Sequence, residues 1–145
     1  MTEQENYMAQ ALALAREAAA AGEVPVGCVI VRGGEIVGRG RNRREEKQST
    51  ASHAEMEAIA MANETVGSWR LDDCTLYVTV EPCVMCAGAI AWSQAARVVW
   101  GADDPKKGFR RYSEAVFHPR TTVARGVLRE ECEELMSGFF AGLRG

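Results

Sequence analysis

The order in which strand-forming and helix-forming segments follow one another restricts the fold of this chain more than any other feature of its sequence. Short runs rich in β-branched residues predict strands over Val26–Val31, Glu35–Gly40, Leu76–Val80, Ala96–Trp100 and Thr121–Arg125. Apolar residues at helical spacing predict helices over Tyr7–Ala21, His53–Asn63, Pro82–Ser93 and Leu128–Leu143. The order along the chain is therefore α-β-β-α-β-α-β-β-α.

This order predicts a single α/β domain. The pair Gly33-Gly34 is typical of a tight turn that joins the first two strands as a hairpin. Helices and strands that alternate after an opening hairpin predict a mixed five-stranded sheet with helices on both faces, a three-layer α/β/α arrangement. The 145 residues suit one domain over 1–145, since most domains have about 100–150 residues and no linker or repeat interrupts the chain.

Composition and charge exclude several classes of protein. Hydrophobic residues make up 47% of the chain, yet no uninterrupted apolar run reaches the roughly 18–20 residues that a membrane-spanning helix needs. The polar start MTEQENYMAQ lacks the basic residues and apolar run of a secretory signal, so we expect a cytoplasmic protein. The net charge of −3 disfavours a protein that coats nucleic acid, while it allows a small local basic patch.

The five cysteines fall into two groups. An odd number without an export signal argues against a disulfide framework, and Cys28, Cys74 and Cys132 lie in or beside apolar patterns, where we expect small buried side chains. Cys83 and Cys86 differ because they lie three residues apart at the predicted start of a helix, so both sulfur atoms can reach one ion.

His53 lies at another predicted helix start and completes a set of one imidazole and two thiolates. Zn²⁺ binds such donors at about 2.0–2.3 Å, and three protein ligands leave a fourth position for water, as in catalytic sites. A helix N-terminus also favours the thiolate form of cysteine. Considered alone, the Cys-x-x-Cys spacing is compatible with a redox pair or with two core cysteines.

Glu55 follows His53 by two residues and can therefore face the water rather than the metal. Zinc lowers the pKa of a bound water to about 7, and a nearby carboxylate can move the water's proton to a leaving group. Ligands together with such a carboxylate suit the hydrolysis of a carbon–nitrogen bond.

The two motifs match the H-x-E…P-C-x-x-C signature of zinc-dependent nucleobase deaminases. Their surroundings resemble the cytidine deaminase superfamily, and within it most closely the bacterial tRNA adenosine deaminases. The similarity covers most of the chain. It is carried by EVPVGCVIV (23–31), RNR (41–43), HAEMEAI (53–59), GSWRLDDCTLYVTVEPCVMCAGAI (67–90), RVVWGADDPKKG (97–108) and GVLREECEELMSGFF (126–140).

The resemblance implies a cytidine-deaminase-like fold and a zinc hydrolase that acts on a C–N bond. It implies one Zn²⁺ per subunit, bound by His53, Cys83 and Cys86, with Glu55 as the proton shuttle. The expected reaction is the attack of water at C6 of the wobble adenosine, position 34 of a tRNA anticodon, which yields inosine and ammonia. The resemblance further implies a homodimer and substrate contacts by Asn42, Ala54, Asp103, Asp104 and Lys106.

Two alternatives remain open on the residues. A deaminase of a free nucleobase or nucleoside, such as guanine or cytosine, fits the same zinc motif, and the segment 108–113 departs from the Gly/Ala-rich pattern of the tRNA enzymes. The second alternative is a zinc-stabilised binding module without turnover, although such a module would not need a carboxylate at Glu55 beside an open coordination position.

Some side chains around the motifs have two interpretations each. Lys106, Lys107, Arg110 and Arg111 interleave with Phe109 and Tyr112, a mixture that suits contact with RNA and equally an ordinary solvated loop.

Asn42 is either a substrate contact or a turn residue. Trp92 is expected in the core or a dimer interface. We expect one of Phe139 and Phe140 in the core and the other towards substrate, because side chains at adjacent positions of a helix point in different directions.

Overall fold

The computed structural model describes residues 1–144, so Gly145, the end of the predicted domain, lies outside the described residues. Its elements follow the predicted order, with two short additions, the helix α2 and a 3-10 helix over Phe109–Arg111. The helices are α1 (Glu3–Ala20), α2 (Arg44–Lys47), α3 (Ala54–Val66), α4 (Val84–Ser93) and α5 (Arg129–Arg144). The strands are β1 (Gly27–Arg32), β2 (Glu35–Arg41), β3 (Cys74–Val80), β4 (Arg97–Ala102) and β5 (Thr122–Arg125).

The strands form one mixed sheet with the order β2-β1-β3-β4-β5. Strand β1 is antiparallel to both β2 and β3, whereas β3, β4 and β5 run parallel to one another. The predicted α/β fold with a mixed five-stranded sheet is therefore confirmed. Parallel strands place their carboxyl ends at one edge of the sheet, which is where α/β proteins usually bind ligands.

Alternate residues of the sheet pack against opposite helical layers. On β3, Leu76 and Val78 face a core that α3 and α4 complete, whereas Tyr77 faces the core beneath α1 and α5. The two layers explain why the inner strands β1, β3 and β4 are mostly apolar, because both of their faces are buried. Cys28, Cys74 and Cys132 are buried as predicted. Among the described residues, no helix combines the length and the apolar character that crossing a membrane requires.

Two local predictions are wrong. Pro82 does not open a helix: Cys83 is the N-cap of α4, and Pro82 precedes it with its carbonyl oxygen accepting a hydrogen bond from the Phe109 amide at 2.9 Å. The polar and charged residues of the segment 42–50 predict a surface loop, whereas the segment contains the short helix α2. The buried carboxylate of Glu23 holds this helix by accepting hydrogen bonds from the amides of Glu45 (3.1 Å) and Glu46 (2.7 Å).

Glycines on β2 let α3 lie directly on the sheet. A Cβ atom at Gly40 would overlap the carbonyl oxygen of Ala54 and lie 2.6 Å from the amide nitrogen of Ala58. Both contacts are to helix backbone, which cannot move aside as a flexible side chain can. The close approach fixes the start of α3, and with it His53, at the carboxyl edge of β3.

We predict that Gly40→Ala lowers the free energy of unfolding by about 1–3 kcal/mol, because the added methyl group must push α3 off the sheet. Gly138→Ala is the matched control, since a Cβ at this α5 position meets nothing within 4 Å. That change should raise stability by about 0.5–1 kcal/mol through helix propensity. Urea unfolding measures both variants, and equal stabilities would contradict the packing argument.

Candidate active site

Two helix starts meet at the carboxyl edge of β3. His53 is the N-cap of α3 and Cys83 is the N-cap of α4, while Cys86 lies in the first turn of α4. The His53 Nδ1 atom is 3.6 Å from Cys83 Sγ and 3.5 Å from Cys86 Sγ. One donor atom from each of the three side chains lies within 4.8 Å of the other two. The structure thus brings together the three side chains that the sequence predicted as metal ligands.

The spacing of these donors suits zinc. With Zn–N of about 2.0–2.1 Å, Zn–S of about 2.3 Å and a tetrahedral angle, ligand nitrogen and sulfur atoms should be about 3.5–3.6 Å apart. The two observed N···S distances, 3.5 and 3.6 Å, fall in this range. One imidazole and two thiolates are a zinc donor set, and three protein ligands leave room for a fourth, exogenous one.

The electrostatics of the two cysteines differ. A hydrogen bond from the Cys86 thiol lowers the pKa of Cys83 to about 4, and the helix start of α4 favours the same ionised form. The same hydrogen bond, together with burial, raises the pKa of Cys86. The pKa of His53 is raised, first by its hydrogen bond with Cys83. A cation among these groups would therefore find one thiolate already formed.

Glu55 lies in the first turn of α3 with only 4% of its surface exposed. Burial raises the pKa of its carboxyl group to about 7. A carboxyl group with such a pKa can both take and return a proton near neutral pH, which is what a general acid–base requires. His53 and the two cysteines lie close enough to this carboxyl group to influence its pKa as well.

A cleft of about 800 Å³ opens above these groups. Its lining contains every predicted site residue except the buried Cys86. The helix α5 contributes one wall, which includes Met136 and Phe140. The predicted residues along the cleft are Asn42, His53, Ala54, Glu55, Cys83, Asp103, Asp104 and Lys106.

Asn42 is held inside the cleft rather than in an exposed turn. It is 7% exposed, and its Oδ1 atom is buried without a hydrogen-bond partner in the described part of the chain. A buried acceptor left unpaired costs about 1–3 kcal/mol. A bound molecule with an N–H or O–H group would satisfy this atom.

The two aspartates on the opposite rim use their carboxylates within the protein. Oδ1 of Asp104 accepts hydrogen bonds from the amides of Lys106 (3.2 Å) and Lys107 (3.1 Å), which closes a tight turn. Oδ1 of Asp103 accepts a hydrogen bond from Trp100 Nε1 at 2.8 Å. Asp103 also faces three arginines.

Glu81, which the sequence analysis did not single out, holds the segment 104–112 by hydrogen bonds. Glu81 is buried at the end of β3 and accepts hydrogen bonds from the amides of Asp104 (3.1 Å) and Arg110 (3.2 Å). Its Oε1 also accepts one from the Arg110 guanidinium at 3.0 Å. The sequence did contain a signal for this role: Glu81 is an acidic residue that directly follows an apolar strand and precedes Cys83 by two residues. A Cβ at Gly108 would overlap this carboxylate.

The interleaved basic and aromatic residues of this segment do not act as one RNA-binding set. Phe109 is buried against Trp100 and Phe117, so for this residue both interpretations, contact with RNA and a solvated loop, are wrong. Arg110 is bound to Glu81 and Asp103. Lys106 and Lys107 still line the cleft.

Two further aromatic predictions have mixed outcomes. Trp92 is 81% exposed, so the core interpretation is wrong, because α4 directs this position away from the sheet. Phe140 borders the cleft, as expected for one residue of the Phe139-Phe140 pair, while Phe139 is half-buried.

Comparison with known proteins points in the same direction. Residues 1–102 match the family model for the cytidine and deoxycytidylate deaminase zinc-binding region, and the chain belongs to this family. Within it, the chain is 46% identical to the tRNA-specific adenosine deaminase of Bacillus subtilis (strain 168), over 99% of this chain and 92% of that protein.

Two solved structures are similar in fold. One comes from a study of A-to-I editing by tRNA:A34 deaminases at the wobble position, with 39% identity and a TM-score of 0.83 over 90% of this chain and 98% of the other. The guanine deaminase of Nitrosomonas europaea has 25% identity and a TM-score of 0.87 over 97% of this chain and 86% of the other.

Removal of the Arg110 side chain leaves the Glu81 carboxylate buried without its charge partner. We predict that Arg110→Ala lowers the free energy of unfolding by about 2–4 kcal/mol. The neighbouring Arg111 is exposed and donates a hydrogen bond to the Lys106 carbonyl oxygen at 2.8 Å, so Arg111→Ala should cost less than about 1 kcal/mol. Denaturant unfolding compares the two, and a larger loss of stability for Arg111→Ala would refute this role of Glu81.

Proposed function

We propose that this protein is a zinc-dependent hydrolytic deaminase that converts the wobble adenosine, position 34 of a tRNA anticodon, to inosine with release of ammonia. The observation that carries the chemistry is the buried Glu55 carboxyl group beside an open His53–Cys83–Cys86 donor set. The choice of substrate is supported by the near full-length similarity to the tRNA-specific adenosine deaminase of Bacillus subtilis.

The metal ligands in this proposal are His53, Cys83 and Cys86, with one Zn²⁺ per subunit. Bound there, zinc would act as a Lewis acid that makes water a nucleophile near neutral pH. The chain supplies two helix starts that hold the donors about as far apart as a tetrahedral ion requires. Cys86, buried below the cleft, anchors the site from within the protein.

Glu55 carries the proton in the proposed reaction. It takes a proton from the attacking water while the new C–O bond forms at C6 of adenine, and it delivers a proton to the exocyclic nitrogen as the C6–N bond breaks. Adenosine and water thus become inosine and ammonia, and the carboxyl group returns to its starting state. Its burial supports this role, because a solvated glutamate would be too weak a base.

Substrate contacts are proposed for the residues that line the cleft. Asn42 would receive a hydrogen bond on its unpaired Oδ1, and the backbone at Ala54 would border the base. Asp104 and Lys106 would meet the nucleotide backbone at the opposite rim. We assign Asp103 to the same rim, where its carboxylate organises the neighbouring arginines.

A free nucleobase or nucleoside is the second candidate substrate, and the similarity to a guanine deaminase structure favours it. The rim of the cleft favours the RNA, because Arg44, Lys106 and Lys107 line it and a neutral free base makes no use of cationic side chains. A module without turnover would have no need of Glu55.

The partner assignments are the tRNA anticodon loop and a second copy of this chain. A homodimer is supported by apolar side chains exposed on α4, where Val84 and Trp92 are 52% and 81% exposed. A solution mass of one chain rather than two, at micromolar concentration, would contradict this assignment.

We predict that Cys83→Ala abolishes stoichiometric zinc binding, because two protein donors remain and the N-cap of α4 loses its thiolate. Cys132→Ala is the matched control, since Cys132 is a buried cysteine of α5, outside the donor set. Metal analysis after dialysis measures zinc per chain. Equal zinc contents in the two variants would show that Cys83 is not a ligand.

The decisive assay offers metal-loaded protein an anticodon stem-loop with adenosine at the wobble position and, in parallel, free guanine, cytosine, adenine and their nucleosides. We expect inosine in the RNA, and Glu55→Ala should lower this rate by at least about 100-fold while it keeps its zinc. Ammonia from a free base with the RNA untouched would transfer the function to the second candidate. Near-normal turnover by Glu55→Ala would exclude the proton-shuttle role.

A further inference from the structure

We propose that Arg125 and Arg129 form a phosphate-binding site for the RNA strand that runs beside the cleft. The inference rests on the proposed function, because a polyanionic substrate is what would use such a site. It adds a pair of residues outside the cleft lining to those that recognise the substrate.

The geometry centres on the carboxylate of Asp103. Its Oδ1 is 3.2 Å from the Arg110 guanidinium, and its Oδ2 is 3.6 Å from Arg125 Nη1 and 3.7 Å from Arg129 Nη2. The latter two distances are those of ion pairs too long for good hydrogen bonds. Arg125 and Arg129 therefore converge on one anion, and most of their N–H groups have no hydrogen-bond partner among the residues 1–144 that the structure describes.

The charges in this cluster do not balance. Arg110 is matched by Glu81, which leaves the single charge of Asp103 to face both Arg125 and Arg129. No other carboxylate lies within ion-pair distance of either arginine in the part of the chain that the structure describes. Glu133, one helical turn beyond Arg129, lines the cleft instead. A phosphate group would complete the charge balance of the two arginines.

The two arginines also lie where a strand leaving the cleft would pass. Arg125 ends β5, paired with Trp100 of the neighbouring strand, at the same edge of the sheet as the cleft. Arg129 begins α5, and residues further along this helix, including Met136 and Phe140, form a wall of the cleft. Lys106 and Lys107 lie on the rim. Cationic residues thus continue from the cleft to the start of α5.

Arginine suits this role because its planar guanidinium can donate two parallel hydrogen bonds to phosphate oxygens. The side chains of Arg125 and Arg129 are 49% and 46% exposed, so they can reach a ligand without rearrangement of the core. Asp103 holds both in place before the RNA arrives, which reduces the conformational entropy cost of binding.

The test measures how RNA affinity depends on salt. The probe is a labelled anticodon stem-loop with inosine at the wobble position, the expected product, so that no turnover disturbs the measurement. Each cation–phosphate pair that a variant cannot form should reduce the steepness of log K against log salt concentration by about 0.7–0.9. We expect the double variant Arg125→Gln/Arg129→Gln to form about one to two fewer such pairs and to bind three- to tenfold more weakly at about 0.1 M salt.

Arg32→Gln is the matched control. Arg32 is 47% exposed and pairs with Asp73 at 2.8 Å, which makes it an arginine of similar exposure beside an aspartate. In the sheet it lies opposite Cys74 at the start of β3, the edge away from the cleft. This variant should keep the salt slope of the wild type.

A second readout separates binding from chemistry. The double variant should have a lower kcat/KM on the stem-loop, whereas its rate on a trinucleotide centred on the target adenosine should stay within about twofold of the wild type, since Arg125 and Arg129 lie outside the lining of the cleft that such a short fragment occupies. If the wild type binds and deaminates the stem-loop but the double variant keeps the wild-type salt slope, the phosphate site is wrong and the proposed function stands. A wild type that leaves the stem-loop unbound and unreacted would overturn the proposed function and this inference together.

Discussion

The convergence of two helix N-termini on one set of soft donors is the constraint on which the rest of this structure depends. Each N-terminus carries a partial positive charge, so the starts of α3 and α4 repel one another unless negative charge lies between them. The Cys83 thiolate supplies that charge, and the capping position of His53 and Cys83 keeps their backbone carbonyls inside the helices. The sheet then fixes where both helices begin, and the glycines of β2 fix how closely α3 approaches.

The opposite wall of the cleft is built on a different principle. Glu81 is buried and joins the backbone of the segment 104–112 to the end of β3, two residues before the first thiolate. A carboxylate that accepts backbone and guanidinium donors from one loop makes that loop part of the rigid scaffold. Glu81, which holds this loop, and Cys83, the N-cap of α4, thus follow the end of the same strand within three residues.

What could be predicted from the sequence was local or periodic. Strand and helix order followed from β-branched runs and helical spacing, and the His53, Cys83 and Cys86 set followed from donor types at helix starts. What could not be predicted depends on partners distant in sequence. Glu23 holds α2 across 22 residues and Glu81 binds Arg110 across 29, and no short-range pattern encodes such pairs. Pro82 was misassigned because proline is favoured at a first helical position, whereas here the cap is the cysteine after it.

The two outer strands of the sheet, β2 and β5, have a consequence for how copies of this chain can associate. Exposed strand edges invite further strands to add, which leads to aggregation. Here β5 has only four residues and ends in Arg125, while β2 carries Arg39 and Arg41 and pairs with β1 through a register shift at Ile30 and Val31. Short length, charge and irregular pairing all discourage edge-to-edge growth. These features disfavour polymerisation through the sheet edges, which leaves the helical surfaces for the dimer that we propose, where a contact of finite size can close.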